Sequence, residues 1–286
     1  MRRSWERELL DWHSGPATDQ AAGLRRLFRT RPARAVAFVS GRESCGRTTL
    51  LVHTAAALAE AGESVVIVDE NPGPDNVHRV FGLKARHDLL DLVQRDLPMQ
   101  RIVQPVAARL SLLSAAEFVA AVTNVDASTA LRLNTAFRQL QEGSSYVLID
   151  CAAGKGRHLS PLALAAPQMA VVVAAQGTAI TTAYALVKRL VQERGREGFQ
   201  VAITRAGSDR EALSIFHNMR QTAQDHLGVR LDYLGSARVP SVDHLADALQ
   251  GSLSQSSGAG DWFGFLPASR GNALSVAPRG RLAPAS

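Results

Sequence analysis

AVAFVSGRESCGRTTLL, residues Ala35 to Leu51, joins a short apolar run, a glycine-punctuated loop and the start of an apolar helix. The run Ala35 to Val39 is continuous and ends at Ser40-Gly41, which predicts a buried strand. The loop reads Gly41-x-x-x-x-Gly46-Arg47-Thr48, and the helix is expected from about Thr49 to Ala61. Strand, loop and helix in that order form the layout of a phosphate-binding loop. Its backbone N–H groups and the helix dipole favour an anion at the helix start. Thr48 stands where a hydroxyl would ligate Mg²⁺ between nucleotide phosphates. The motif calls for Lys where Arg47 stands. Arginine keeps the charge and forks onto phosphate oxygens, but it is bulkier than an ammonium. The competing reading is a strand-to-helix turn that simply needed a glycine.

Working outward, Ser64 to Val68 reads as a second strand ending in Asp69, about 30 residues after the first, which makes a βαβ unit. Further strands are expected at Arg109–Leu113, Tyr146–Ile149, Met169–Ala174, Gln200–Thr204 and Leu231–Leu234. Helices are expected at His87–Gln94, Ser128–Gln141, Ala179–Gln192, Asp209–His226 and Val242–Leu249. The class is therefore α/β, a mostly parallel sheet of about seven strands with helices on both faces. The strand Tyr146–Ile149 ends in Asp150, as a Walker B element does. An acid there, next to the loop, is placed to support a Mg²⁺ shell; a strand-capping aspartate is the plainer reading.

The chain of 286 residues carries a net charge of +6, far more from Arg than from Lys. The cluster Arg25, Arg26, Arg29, Arg31 and Arg34 suits an acidic partner, nucleic acid or an anionic membrane surface, or is simply a solvated face. Residues 1–34 read as a helical extension, 35–250 as the nucleotide-binding domain, and 251–286, rich in Ser, Gly and Pro, as a disordered tail with an apolar island at Trp262–Leu266. No run reaches membrane-span length and the start lacks a signal-peptide core, so a cytoplasmic protein is expected. Only Cys45 and Cys151 occur, too few for a zinc or iron–sulfur ligand cluster. Both fall on loops that leave neighbouring strands. A disulfide between them is the speculative reading, and small buried fillers the plainer one.

The chain resembles the MinD/ParA class of P-loop ATPases, and within it the flagellar number regulators FlhG and FleN, over residues 19 to about 250. The most specific match is DQAAGLRRL, Asp19 to Leu27, similar to the DQAxxLR element ahead of the family's loop. VVIVDENPGPDNVHRVFGL resembles the switch I region and VLIDCAAG the Walker B and switch II region. GTAITTAYALVKRL and VPSVDHLADAL resemble later helical passages. The resemblance implies ATP held by Gly41, Cys45, Gly46, Arg47, Thr48 and Thr49, with Thr204 replacing the Asn that recognises adenine. It implies Mg²⁺ at Thr48, Asp69 and Asp150, and catalytic positions at Arg42, Arg47 and Asn71. It also implies a FlhF-like GTPase partner contacted by Asp19, Gln20, Leu24 and Arg25, and contacts with flagellar basal-body or regulator components. A nucleotide-dependent homodimer and transient membrane contact at a cell pole are implied too, with no specific nucleic acid.

The family's loop reads GKGGVGKT, whereas this one has Arg42, Glu43, Ser44 and Arg47 at its two Lys and two Gly positions. Asn71 stands where a second switch I Asp positions water, and it cannot take a proton. Weak hydrolysis is therefore expected. An active ParA-like partition ATPase and a non-hydrolysing scaffold are the alternatives.

Overall fold

The computed structural model of the chain describes residues 33–74, 76–122, 125–151 and 159–237. In chain order the elements are β1 (Arg34–Ser40), α1 (Arg47–Glu60), β2 (Val65–Asp69), α2 (Val77–Val80), α3 (Leu89–Arg95), α4 (Met99–Ile102), β3 (Gln104–Ala107) and β4 (Leu110–Ser114). There follow α5 (Ala116–Ala121), α6 (Ala127–Gly143), β5 (Tyr146–Asp150), α7 (Pro161–Ala165), β6 (Gln168–Ala174), α8 (Gly177–Arg194), β7 (Gly198–Thr204), α9 (Asp209–Leu227) and β8 (Arg230–Ala237).

The strands form one sheet in the order β3-β4-β2-β5-β1-β6-β7-β8. Every neighbouring pair is parallel except β3–β4. From β1 the chain runs first toward β2 on one side and later toward β6 on the other. The carboxyl end of β1 is thus a topological switch point, where sheets of this class open a crevice for ligands. The strands are apolar throughout because both faces are covered. Ala35, Ala37 and Val39 of β1 join the core under α6, α8 and α9, which contribute Phe137, Val187 and Phe216. Val36 and Phe38 join the opposite core with Leu50, Leu51 and Leu58 of α1. Burying each of those leucines is worth about 2 kcal/mol, and together they fix α1 and the loop that precedes it.

All seven expected strands are present, and an eighth, β3, is added at the edge. Four residues with Pro105 among them give no period-two signal, and an edge is where a strand tolerates proline. The helix expected from His87 begins instead at Leu89, because Asp88 is its N-cap and closes a capping box with Asp91. Asp88 also accepts from the Glu117 and Phe118 N–H groups at the start of α5, and from the Ser114 hydroxyl at 2.7 Å. One buried carboxylate therefore starts two helices. No helix among the described residues is long and apolar enough to cross a membrane. The expected helix at Val242–Leu249, residues 1–32 and the island at Trp262–Leu266 lie outside the described residues.

Candidate nucleotide site

The loop leaves the end of β1 and runs into α1. Gly41 is needed for close approach: a Cβ there would fall onto the backbone of Thr182 and Ala183 in α8. Gly46 is needed for its backbone, with φ of 78° as the N-cap of α1. Ser44, at a glycine position of the family's loop, also has a left-handed φ, 59°. No side chain caps the N-terminus of α1 and no acidic residue lies in its first turn. Its N–H groups are thereby left for an anion. Thr204, at the end of β7, donates its hydroxyl to the Cys45 carbonyl at 2.6 Å and so braces the loop from across the sheet.

Register then brings the acids to the loop. Asp69 and Asp150 are direct partners on β2 and β5, and Phe38 of β1 is paired with Asp150. Arg47 Nε donates to Asp150 Oδ1 at 2.6 Å, with the Arg47 side chain 12% exposed and the carboxylate fully buried. Thr48 Oγ1 donates to Asp150 Oδ2 at 2.7 Å. Burial alone would pull the Arg47 guanidinium below its ordinary value. The charge and hydrogen bond of Asp150 outweigh it, helped by Glu70, so the group is held above that value and stays charged.

Asp69 is engaged elsewhere. Its Oδ1 accepts from the Asn71 N–H at 3.1 Å, and its Oδ2 meets His78 Nδ1 at 3.0 Å and the His78 N–H at 3.3 Å. The Asn71 side-chain oxygen accepts from the Gly73 N–H at 2.9 Å, which closes a turn over Pro72. Alternation turns the next residue, Glu70, to the other face. It is fully buried there and accepts from the Ser160 hydroxyl. His78, Glu70 and Ser160 were not expected from sequence; only the strand alternation at Asp69-Glu70 carries a signal for the second of them.

The expected positions thus divide. Gly41, Cys45, Gly46, Arg47, Thr48 and Asp150 are gathered around the start of α1, with Asp69 beside them but bound to His78. Arg42 is exposed and donates to Thr178 Oγ1 at 2.7 Å. A cavity of about 120 Å³ beside the loop is lined by Gly46, Thr49, His53, Thr204 and Arg205, among others. Asp19, Gln20, Leu24 and Arg25 lie outside the described residues. The cysteine pairing is overturned. Both thiols are free and buried, Cys45 in the α1 core and Cys151 in the opposite one, so the sheet stands between them. Burial, reinforced by the charge of Glu70, pushes the Cys151 thiol well above its ordinary value, against a smaller opposing pull from Arg47.

The donor set does not fit Mg²⁺. The Asp150 carboxylate is already neutralised by the Arg47 guanidinium at 2.6 Å, which stands where a divalent ion's charge would act, and Asp69 is turned to the Asn71 N–H and His78. Among the described residues no three His, Cys, Asp or Glu side chains converge as a metal-holding group.

No family model matches the chain. It is 26% identical over 227 residues to the antiactivator FleN of Pseudomonas aeruginosa, covering 79% of this chain and 80% of that protein. It is 20% identical over 208 residues to the flagellum site-determining protein YlxH of Helicobacter pylori, covering 72% of this chain and 70% of that one. Its fold is similar to that of the MinD cell division protein of Aquifex aeolicus, with a TM-score of 0.59 at 18% identity, over 78% of this chain and 98% of that one. In its glycine-punctuated loop, sheet and relatives the chain is similar to FleN and to MinD-like P-loop proteins, and it carries Arg42, Glu43, Ser44, Arg47 and Asn71 where the loop and switch I of that class have Lys, Gly, Gly, Lys and Asp.

Proposed function

We propose that this chain is a P-loop nucleotide-binding regulator of flagellar number or placement that hydrolyses ATP weakly and acts through a FlhF-like GTPase. The observation that carries the reading is the likeness to FleN and to a flagellum site-determining protein over more than two thirds of the chain. The uncapped start of α1 supports a bound phosphate chain. Weak hydrolysis follows from two side chains. Arg47 is tied to Asp150, and the Asn71 side-chain oxygen is spent on the Gly73 N–H, so no acid there activates water. The element Asp19 to Leu27, with Asp19, Gln20, Leu24 and Arg25, is assigned the GTPase contact. Dimer formation on nucleotide and transient polar membrane contact complete the proposal.

The test pairs two assays on the full chain. Deleting residues 1–30 should abolish stimulation of the partner GTPase while the urea-unfolding transition of the remaining domain stays in place; retained stimulation refutes the partner assignment. Arg47→Lys with Asn71→Asp should raise ATP turnover by at least about a hundredfold, since one lost electrostatic contact typically costs about 3–4 kcal/mol in the transition state. Wild-type turnover already equal to that of the double variant refutes weak hydrolysis. The non-hydrolysing scaffold is the second reading, favoured by the same Arg47–Asp150 contact. It holds if neither protein turns over ATP.

A further inference from the structure

We infer that the loop takes a nucleoside di- or triphosphate without a divalent cation, the guanidinium of Arg47 providing the positive charge that Mg²⁺ provides beside a lysine-bearing loop. This rests on the nucleotide-binding reading above and adds to it how the phosphate charge is met.

Three observations carry it. The first is the position of the cation. Arg47 Nε lies 2.6 Å from Asp150, the carboxylate that would otherwise order a metal's shell, and the two side chains are almost wholly withdrawn from water. The second is what Arg47 has left to give. A guanidinium carries five N–H donors. Among the described residues Arg47 uses only Nε, so both terminal amino groups remain to fork onto phosphate oxygens. The third is the lack of an alternative seat for a metal. The carboxylate nearest Thr48 is already paired with the Arg47 guanidinium, and the Asp69 oxygens accept from the Asn71 N–H and lie against His78.

A divalent ion at Thr48 would share one buried carboxylate with a permanently charged neighbour, and like charges a few ångströms apart in a buried site repel strongly. A lysine at the same position differs because its slender stem places a compact ammonium and makes no planar fork to the aspartate.

Calorimetric titration of the full chain with ADP and with ATP, each in EDTA and in excess Mg²⁺, tests this. The Kd for each nucleotide is expected to agree within about fivefold between the two buffers, and Arg47→Lys is expected to gain more than about fivefold from Mg²⁺. A wild-type gain above fivefold overturns the inference while leaving nucleotide binding intact. A lysine variant as indifferent to Mg²⁺ as the wild type overturns the assignment to Arg47. No binding of either nucleotide in either buffer removes the nucleotide reading itself, and this inference with it.

Discussion

The hydroxyl of Thr204 and the carbonyl of Cys45 lie 2.6 Å apart, 159 residues distant in sequence, and this one bond joins β7 to the phosphate-binding loop. Thr204 is 1% exposed, so water cannot replace it. Thr204→Val keeps the shape and leaves the carbonyl without that donor. A loss of about 1–2 kcal/mol in unfolding free energy is expected, measured by urea denaturation. An unchanged midpoint and slope would show that the loop is held by its backbone alone.

Asp88 offers a larger effect. Its carboxylate accepts from Leu90 N, Phe118 N, Glu117 N and Ser114 Oγ, in a buried site. Asp88→Ala should destabilise by about 3 kcal/mol, because several buried donors lose a charged acceptor together. Asp88→Asn should recover part of that loss. Thermal melts of the three proteins measure the order.

Ser44 points the other way. At φ of 59° a side chain is strained, and glycine is not. Ser44→Gly should stabilise by about 0.5–1 kcal/mol after the added freedom of the unfolded chain is counted. A denaturation curve shifted to lower urea would exclude strain at this position.

Cys151 gives a pH dependence. Its folded thiol is held well above the ordinary value of 9.0, chiefly by burial. The folded state then binds the proton more tightly than the unfolded chain. The resulting stability is complete below about pH 9 and falls as pH rises above it, by about 1.4 kcal/mol per pH unit for one group. Cys151→Ala should remove that component of the alkaline slope, read from urea midpoints between pH 8 and about pH 10. An identical slope in both proteins would count against it.

How much of this was legible depended on distance along the chain. The loop was readable because its strand is one unbroken apolar run and its glycines are local. The acids ending β2 and β5 were readable because both strands stop abruptly at a carboxylate. The pairing of Arg47 with Asp150 was not, since it crosses 103 residues and exists only because β5 lies beside β1. His78 sits nine residues from Asp69, and no spacing rule relates them; the turn that Asn71 closes lies between the two. Thr204 shows the limit of analogy: the position was found through resemblance, and its bond to the loop only through geometry.

The antiparallel strand β3 has a consequence for assembly. An open sheet invites a foreign strand wherever its outermost backbone offers a full row of donors and acceptors. Pro105 removes one donor from a strand only four residues long, and the irregularity between Pro105 and Ala107 spoils the spacing of the rest. Among the described residues this margin is therefore a poor template for a neighbouring strand, and association of copies by extending the sheet at β3 is disfavoured.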